Sequence, residues 1–381
     1  MKNQRSKNLL IFSGYHLPHL GGIERYTDNL SQEFKKLGWN TTIVSSNYDN
    51  LKTEEDINGI KNYRIPIYNL FKSRYPIPKH NKEFKNIIKE LDKKEYDAVI
   101  VNTRFHLTTM VGAKYAKKHN IPVFLVEHGS EHLTIDNKVL DFFGAIYEHC
   151  LTHFVKKYVN YYYGVSLGAC EWQKHFGINS DGVWYNSINE FYDVNKIKKN
   201  EKKIIITYAG RILKQKGVYE LLESFENLSK QYNNIELHLA GNGNKLDILK
   251  EKYKDNKNII FEGKLDFKEL TKLYEKTNIF VYAPLWPEGL PTSILEAGLM
   301  KCAIIASPQG GIKEIINDKQ NGIMINSKKE LENALELLIN NKELRNKYSE
   351  EIYKTVCDKF LWKNTAKKIE SDISNKINER K

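Results

Sequence analysis

The chain has 381 residues, of which 41% are hydrophobic, and it carries a formal net charge of +12 at pH 7. This length is long for a single hydrophobic core, so it predicts two domains, and no run of 18 apolar residues predicts a membrane span. Four cysteines without a CxxC pair argue against a disulfide framework or a zinc site, which fits a reducing cytoplasm. The positive charge favours an anionic partner, such as nucleic acid, lipid head groups or a phosphorylated small molecule.

Apolar runs in the first half of the chain alternate with helical patterns. The predicted strands lie at residues 8–13, 41–46, 96–102, 121–126 and 161–166. The predicted helices lie at residues 24–36, 106–119 and 145–159. Because alternating strands and helices form βαβ units, this order predicts a parallel sheet. Residues 51–96 are less regular, and residues 184–189 are predicted to form a strand that runs into a polar linker.

The loop after the first predicted strand, residues 14–24, contains two adjacent glycines. Gly21 and Gly22 either let the backbone approach a ligand closely or form a plain turn. The loop lacks GxGxxG, so it does not indicate an ordinary dinucleotide site. Three further polar residues of the loop are candidates for contact with a ligand or a membrane: His16, His19 and Glu24.

His128 follows the predicted strand at 121–126. Open α/β sheets bind ligands at the carboxyl ends of their strands, so this position favours a functional histidine. The alternative is a surface histidine without a role. Glu131, in the same loop, is a further candidate for contact with a ligand.

A basic and aromatic segment lies within the less regular region. Its members are Tyr68, Phe71, Lys72, Arg74, Tyr75, Lys79, His80, Lys82, Phe84 and Lys85. This composition is typical of a segment on an anionic membrane surface, where lysines meet head groups and aromatic rings lie at the interface. It is equally typical of an exposed helix and loop. Lys72, Arg74 and Lys79 are the candidate contacts with a membrane or a ligand.

The second half of the chain begins after a polar, lysine-rich linker at residues 190–203. Its predicted strands lie at residues 203–209, 235–240, 259–261, 279–284, 302–306 and 321–325. Two predicted helices end near residues 231 and 254, and a third spans 266–276 behind an Asp266 cap. The next begins at 291 or 292, and a short one includes Glu314. Further helices fill 328–357, and the last begins at Trp362. The whole order predicts two Rossmann-like α/β domains with a cleft between them. The domains are predicted at 1–189 and 204–358, with a terminal helix at 359–381 that returns to the first domain.

Residues 287–298 form a strand–loop–helix junction that carries two acids, Glu288 and Glu296. Free backbone N–H groups and the positive end of the helix dipole attract phosphates at such a helix start. Carboxylates on either side suit the hydroxyls of a sugar. The alternative is that Glu288 is solvated and that Glu296 only favours the helix.

Several motifs in the expected order resemble glycosyltransferase family 4. In the second half they are Gly210-Arg211 with Lys216-Gly217, Pro287 to Ala297 with its Glu-x7-Glu spacing, and Gly310-Gly311 with Glu314. In the first half they are Pro18, Gly21 to Glu24, His128-Gly129 and Val165-Ser166. The resemblance covers nearly the whole chain. It implies a retaining enzyme of the GT-B type, built from two facing Rossmann-like domains.

The resemblance also implies roles for individual residues. Arg211 and Lys216, beside Gly210, would bind the diphosphate of a nucleotide-sugar and stabilise the leaving group. The helix-start loop, Gly289, Leu290, Pro291 and Thr292, would hold the distal phosphate. Glu288 would contact the donor sugar, Glu296 the ribose, and His128 would orient the sugar. Gly21 and Gly22 would approach the phosphate and the acceptor from the first domain.

The implied reaction transfers a hexose from a nucleotide-sugar, with UDP as the expected carrier, to a glycan or lipid-linked acceptor of the bacterial cell surface. No Asp-x-Asp sequence marks a metal–diphosphate clamp, so the sequence predicts catalysis without a metal and without a cofactor. The expected location is the cytoplasm, with peripheral contact to the inner face of the membrane.

Other functions compete with this interpretation. The charge alone would suit a non-catalytic nucleic-acid-binding α/β protein, but the basic residues are dispersed and no binding module is recognisable. We therefore expect no nucleic-acid partner. The same fold would also suit a nucleotide-sugar epimerase, a phosphorylase or a scaffold without activity. A pyridoxal-phosphate phosphorylase would need a Schiff-base lysine, for which the sequence offers no convincing candidate.

Overall fold

The computed structural model describes residues 5–19, 21–68, 76–132, 137–190, 194, 197, 199–286 and 289–380. The chain forms two compact units. The first unit comprises Met1–Asn186 and Trp362–Lys381, and the second comprises Ser187–Leu361. Among the described residues, none of the helices has the length and apolar composition that a bilayer crossing requires.

The first unit is built on one mostly parallel sheet. Its strands are β1 (Asn8–Phe12), β2 (Asn40–Asn47), β3 (Glu54–Ile57), β4 (Ile60–Tyr68), β5 (Ile77–Pro78), β6 (Ala98–Asn102), β7 (Val123–Glu127), β8 (Tyr161–Gly164) and β9 (Gly182–Val183). Their order is β3-β4-β2-β1-β6-β7-β8-β9, with β3 and β5 antiparallel to β4. The helices are α1 (Gly22–Lys36), α2 (Lys82–Leu91), α3 (Leu107–Lys118), α4 (Lys138–Val155) and α5 (Leu167–Lys174). The predicted parallel sheet of the first half is therefore confirmed.

The second unit is a fully parallel sheet with the order β12-β11-β10-β13-β14-β15. Its strands are β10 (Ile204–Ala209), β11 (Ile235–Ala240), β12 (Ile259–Gly263), β13 (Ile279–Tyr282), β14 (Ala303–Ala306) and β15 (Ile323–Met324). Its helices are α6 (Val218–Ser229), α7 (Leu246–Lys252), α8 (Phe267–Lys276), α9 (Thr292–Leu299), α10 (Ile312–Ile315), α11 (Lys328–Asn340) and α12 (Lys342–Lys359). The predicted Asp266 cap is confirmed, and with Glu269 it forms a capping box.

The last helix, α13 (Trp362–Asn378), belongs to the first unit, where it packs against α1. Trp362 is fully buried, and its ring meets the ring of Tyr26 at 5.0 Å. The side chain of Asp372 accepts a hydrogen bond of 2.9 Å from the indole of Trp184. These contacts hold the end of the chain to the first sheet.

The structure corrects the description of residues 51–96 as irregular. The region contains β3, β4, β5 and α2, and the apolar face of α2 is buried through Phe84, Ile87 and Leu91. Strand β4 escaped prediction because Asn62 and Arg64 interrupt its apolar pattern, although both are buried. Burial of Phe84 also removes this ring from the set of aromatics that could meet a membrane.

Two other elements differ from prediction. Helix α4 begins at Lys138 instead of residue 145, because Asn137 caps it by accepting bonds from two backbone N–H groups. The apolar side chains in its first turns are exposed, so the sequence shows no two-sided pattern there. The strand predicted at 184–189 is wrong: β9 ends at Val183, since its partner β8 ends at Gly164 and the chain then turns into α5.

Candidate functional site

The second sheet has a topological switch point between β10 and β13. From β10 the chain continues to β11 on one side, while β13 lies on the other side. Ligands of open α/β sheets bind at the carboxyl ends of the strands at such a point. The loops that follow β10 and β13 are residues 210–217 and 283–291, and they contain most of the residues that the sequence assigned to the donor.

These two loops touch through their backbones. Gly217 has φ +71°, and a Cβ atom there would lie 1.9 Å from the carbonyl oxygen of Ala283. The N–H of Leu285 donates a 2.9 Å hydrogen bond to the carbonyl of Gln215. Only glycine tolerates both this backbone conformation and this approach. The sequence Lys216-Gly217 therefore fixes one loop against the other.

The neighbouring loops are joined in the same way. The N–H of Gly311 donates a 2.9 Å bond to the carbonyl of Gly289, and a Cβ on Gly311 would lie 2.2 Å from that oxygen. On the other side, the N–H of Ile212 donates a 2.9 Å bond to the carbonyl of Asn242, in the loop after β11. Four loops thus form one framework of backbone contacts at the carboxyl edge of the second sheet.

The two predicted cations lie on this framework. Arg211 is exposed, and its carbonyl accepts a 2.7 Å bond from the hydroxyl of Tyr208. Lys216 ends a 3-10 turn, Lys214–Lys216, and is half-buried. The structure brings the backbone of Lys216 next to the start of the β13 loop. Two cationic residues on one loop at a switch point are suited to a diphosphate.

The loop continues into helix α9. Leu290 is buried, while Gly289, Pro291 and Thr292 are half-buried. Pro291 is the N-cap, and no side chain caps the helix start, so the first N–H groups of α9 have no capping partner of that kind among the described residues. Glu288 lies outside the described residues. The predicted helix start is therefore present, while its binding of an anion and the position of the first predicted acid stay predictions.

Glu296 lies one turn into α9 and is 8% exposed. It neighbours the hydroxyl of Tyr274, whose pKa is raised well above its usual value by burial and then by the charge of Glu296. This carboxylate is therefore held in a low-dielectric environment. Its proposed contact with a ribose is not tested by these contacts.

The first sheet has its own switch point, between β1 and β6. The loops after β1, β6 and β7 carry three histidines, His16, His106 and His128. All three have lowered pKa values, and for each the largest cause is burial. These imidazoles are therefore neutral at pH 7, so they act through hydrogen bonds and not as cations.

His128, predicted to contact the sugar, is half-buried at the end of β7. Its Nε2 lies 3.0 Å from Oδ1 of Asn102, whose amide nitrogen donates to Thr27 at 2.8 Å. Because Oδ1 is the acceptor in this chain of bonds, Nε2 of His128 carries the proton. Burial, and then the proximity of His106, lowers the pKa of His128 to about 3.

His16 lies in the loop after β1, and His106 lies in the loop after β6. His16 is 1% exposed, and burial followed by the charge of Arg64 lowers its pKa to about 4. A Cβ atom on Gly14 would lie 2.0 Å from Nδ1 of His106, so this glycine is required by the histidine beside it. Burial also lowers the pKa of His106 to about 4. His106 was not singled out from the sequence.

A buried ionic network, also missed from the sequence, supports the turn at His128. Arg104, 1% exposed, donates to Glu127 at 2.9 Å and to Glu148 at 2.7 Å. The other oxygen of Glu127 accepts the N–H of His128 at 3.1 Å and of Gly129 at 2.9 Å. The one available signal was a charged residue, Glu127, at the end of an otherwise apolar strand.

The remaining candidates of the first unit are placed less centrally. His19 lies 3.0 Å from Glu24 through Nδ1 and Oε1, and a Cβ on Gly21 would lie 2.3 Å from Oε2 of Glu24. A Cβ on Gly22 would meet no atom within 4 Å. These residues form one cluster at the start of α1. In this cluster the backbone of Gly21 lies close to the carboxylate of Glu24, whereas Gly22 has open space beside it.

Of the three candidate membrane residues, Lys79 is the one that the structure describes. Its Nζ lies over the ring of Tyr68 at 4.9 Å, and its backbone N–H donates a 2.7 Å hydrogen bond to the carbonyl of Pro66 in β4. Lys72 and Arg74 lie outside the described residues. Glu131 is exposed in the loop after β7.

Comparison with known proteins agrees with this architecture. Residues 20–190 match the family described as Glycosyltransferase Family 4, and residues 190–355 match Glycosyl transferases group 1. An uncharacterised glycosyltransferase of Methanocaldococcus jannaschii is 28% identical, over 98% of this chain and 100% of the relative.

Solved structures share the fold over the full chain. Sucrose-phosphate synthase from Thermosynechococcus elongatus superposes with a TM-score of 0.76 at 16% identity, covering 98% of this chain and 100% of that one. The Anabaena protein HepE, solved in complex with UDP-glucose, superposes with a TM-score of 0.70 at 15% identity, covering 97% and 99%. The chain belongs to glycosyltransferase family 4 and is a glycosyltransferase of the GT-B type.

Proposed function

We propose that the chain transfers a hexose from a UDP-sugar to a glycan or lipid-linked acceptor of the bacterial cell surface, with retention of configuration. The observation that carries this proposal is the backbone contact between the loops after β10 and β13 at the switch point. It places the loop of Arg211 and Lys216 beside the loop that leads into the start of α9. Cations and helix-end N–H groups together form a suitable diphosphate site.

The chemistry follows from the charge of the leaving group. When the bond between the sugar and the diphosphate breaks, negative charge builds on the phosphate oxygen. Arg211, Lys216 and the N–H groups of α9 stabilise this charge without supplying a proton. Neither the fold nor the spacing of these residues calls for a metal in this step, and we propose that transfer proceeds without one.

The first unit contributes neutral hydrogen-bonding groups. With a pKa lowered to about 3, His128 stays neutral over the physiological range and positions a sugar through Nδ1, since Nε2 is bonded to Asn102. Its orientation depends on Asn102 and on the hydrogen bond that its backbone N–H donates to the carboxylate of Glu127. We assign acceptor binding to the first unit, because the donor site lies on loops of the second unit and the loops of the first unit carry further polar groups. UDP as the carrier is supported by the Anabaena neighbour, which was solved with UDP-glucose.

A lipid-linked acceptor requires access to a membrane, and α4 offers a suitable surface. Five apolar side chains near its start are 45–64% exposed: Val139, Leu140, Phe142, Phe143 and Ile146. An anionic lipid surface is the favoured occupant because the chain carries a net charge of +12. We therefore propose peripheral attachment through α4, in addition to the lysines of the segment 72–85.

The membrane proposal is tested by sedimentation with vesicles. Phe142→Ser with Phe143→Ser reduces binding to vesicles of phosphatidylglycerol and phosphatidylcholine, whereas Phe267→Ser, an exposed phenylalanine of α8, leaves it unchanged. Equal binding of the wild type to purely zwitterionic vesicles at high salt contradicts the electrostatic part of the proposal.

The transfer proposal is tested in two steps. A thermal-shift series with UDP-, GDP- and ADP-sugars identifies the donor, because a ligand stabilises the state that it binds. Lys216→Ala then lowers kcat about 10²–10³-fold with that donor, while Lys214→Ala, on the same turn, has little effect. Near-normal turnover of Lys216→Ala contradicts the assignment. Conversion of the donor to its epimer in the absence of any acceptor supports an epimerase instead.

A further inference from the structure

Three histidines from three separate elements converge on one surface of the first unit. His132 lies in the loop after β7, His149 lies on α4, and His175 is the C-cap of α5. One ring nitrogen from each can be chosen so that all three lie within 4.8 Å of one another. The sequence separates these residues by 17 and 26 positions, so only the fold brings them together.

Their spacing is that of metal ligands. Nε2 of His149 and Nε2 of His175 are 3.2 Å apart, and two nitrogens on a tetrahedral Zn²⁺ ion, at bond lengths of about 2.0–2.1 Å, are about 3.3 Å apart. The three ring centroids are separated by 5.0, 5.3 and 5.5 Å. His149 and His175 are exposed, so small side-chain rotations can bring the third nitrogen into the same range.

His132 is held in the orientation of a metal ligand by a carboxylate. Its Nδ1 lies 3.0 Å from Oε2 of Glu148, which is 1% exposed and is also bound by Arg104 at 2.7 Å. Metal-binding histidines typically donate their second nitrogen to a carboxylate, which fixes the tautomer and leaves the other nitrogen unprotonated. Glu148 thus leaves Nε2 of His132 available to an ion.

The three imidazole side chains also determine which metal this cluster favours. Neutral imidazole is the form that binds a metal, and it favours Zn²⁺, Cu²⁺ and Ni²⁺ over Mg²⁺ or Ca²⁺.

We propose that His132, His149 and His175 form a Zn²⁺ site, with three imidazole ligands and water in the fourth position. The ion would join the loop after β7 to α4 and α5. Since this loop begins with His128 and Gly129, zinc would stabilise the turn that carries a candidate sugar contact. The three histidines belong to the first unit, whereas the diphosphate loops belong to the second. The zinc proposal does not depend on the proposed transfer reaction.

The test uses full-length chain without a polyhistidine tag, and Trp172 serves as the reporter. The indole of Trp172 is stacked on the His175 ring, with centroids 4.7 Å apart and planes inclined by 6°. Titration of the metal-free protein with ZnCl₂ is expected to change tryptophan fluorescence and to saturate at about one ion per chain. Elemental analysis after gel filtration checks the stoichiometry, and CoCl₂ in place of zinc gives the visible absorption of a low-coordinate site.

Two variants decide the outcome. His149→Gln weakens zinc binding at least about tenfold, whereas His153→Gln, an exposed histidine one turn further along α4, leaves it unchanged. Far-UV circular dichroism confirms that both variants fold. Absence of zinc binding by the wild type, or equal loss in both variants, overturns the proposal. Neither result bears on Lys216 and donor turnover, so the two proposals fail independently.

Discussion

Both units carry loops at the carboxyl edge of a parallel sheet, but different kinds of contact join the loops in each unit. In the second unit the loops are joined backbone to backbone, through glycines such as Gly217 and Gly311, and the charged side chain of Arg211 remains exposed. In the first unit the loops are joined by buried side chains, Arg104 and Glu127 among them. A backbone framework joins the loops through main-chain contacts, whereas a side-chain network holds neutral groups in fixed orientations.

The largest effect on stability is expected from a substitution that breaks the side-chain network. Arg104→Met leaves Glu127 and Glu148 buried without their cation, and we expect it to lower the free energy of unfolding by about 3–5 kcal/mol. Urea denaturation, followed by tryptophan fluorescence, measures the change. Four of the five tryptophans lie in the first unit: Trp39, Trp172, Trp184 and Trp362.

Arg345→Met is the matched variant in the second unit. Arg345 is also buried, but it donates mainly to the carbonyls of Leu338 and Ile339, and its carboxylate partner Glu201 is 30% exposed. Its removal leaves these neutral carbonyls without their donor, and we expect the free energy of unfolding to fall by about 1–3 kcal/mol. Equal losses in the two variants would show that the buried carboxylates of the first unit are not the cause.

The backbone framework of the second unit can be broken by one methyl group. Gly217→Ala adds a Cβ that would lie 1.9 Å from the carbonyl oxygen of Ala283. We expect a loss of about 3 kcal/mol, from the left-handed conformation and the clash together. Gly263→Ala shares φ +71° but meets no atom within 4 Å, so it should cost only about 1 kcal/mol. Similar losses at both glycines would rule out the clash as the cause.

The buried histidines make the first unit sensitive to acid. His16 and His106 have folded-state pKa values of about 4, below the unfolded value of 6.5. Between pH 6.5 and 4 the unfolded chain therefore binds more protons, so stability is lost as the pH falls through this window. The expected slope is up to about 1.4 kcal/mol per pH unit for each histidine.

Urea denaturation at pH 7.0 and 5.5 measures this slope. His106→Gln removes one of the titrating groups and should flatten the slope relative to the wild type. Unchanged stability between the two pH values would contradict the assignment of these histidines as buried and neutral.

The comparison also explains what the sequence could predict. Strands such as β6, β7 and β10 are continuous apolar runs, and glycine motifs such as Lys216-Gly217 are local, so both are visible in a short window. The partner of Gly217, Ala283, is 66 positions away and could be found only from the fold. The sequence therefore placed these glycines in loops that follow strands, as the structure does, but it did not show the contacts between the loops.

The side-chain network was less accessible for a physical reason. Arg104, Glu127 and Glu148 lie on three elements, and each alone has the character of a solvated charge. Strand β4 was missed for the same reason, since buried Arg64 looks like an exposed residue until its acceptors, the carbonyls of Lys52 and Leu17, are known. Buried polar groups are paired across the fold, and a single sequence does not show the pairing.

The central claim, a diphosphate site on the loops after β10 and β13, is tested most directly by titration calorimetry of UDP. Lys216→Ala removes a charge-assisted contact, and we expect the dissociation constant for UDP to rise about tenfold or more. Lys214→Ala, the exposed lysine on the same turn, should bind UDP as the wild type does. Wild-type affinity in Lys216→Ala, or an equal loss in both variants, would contradict the claim.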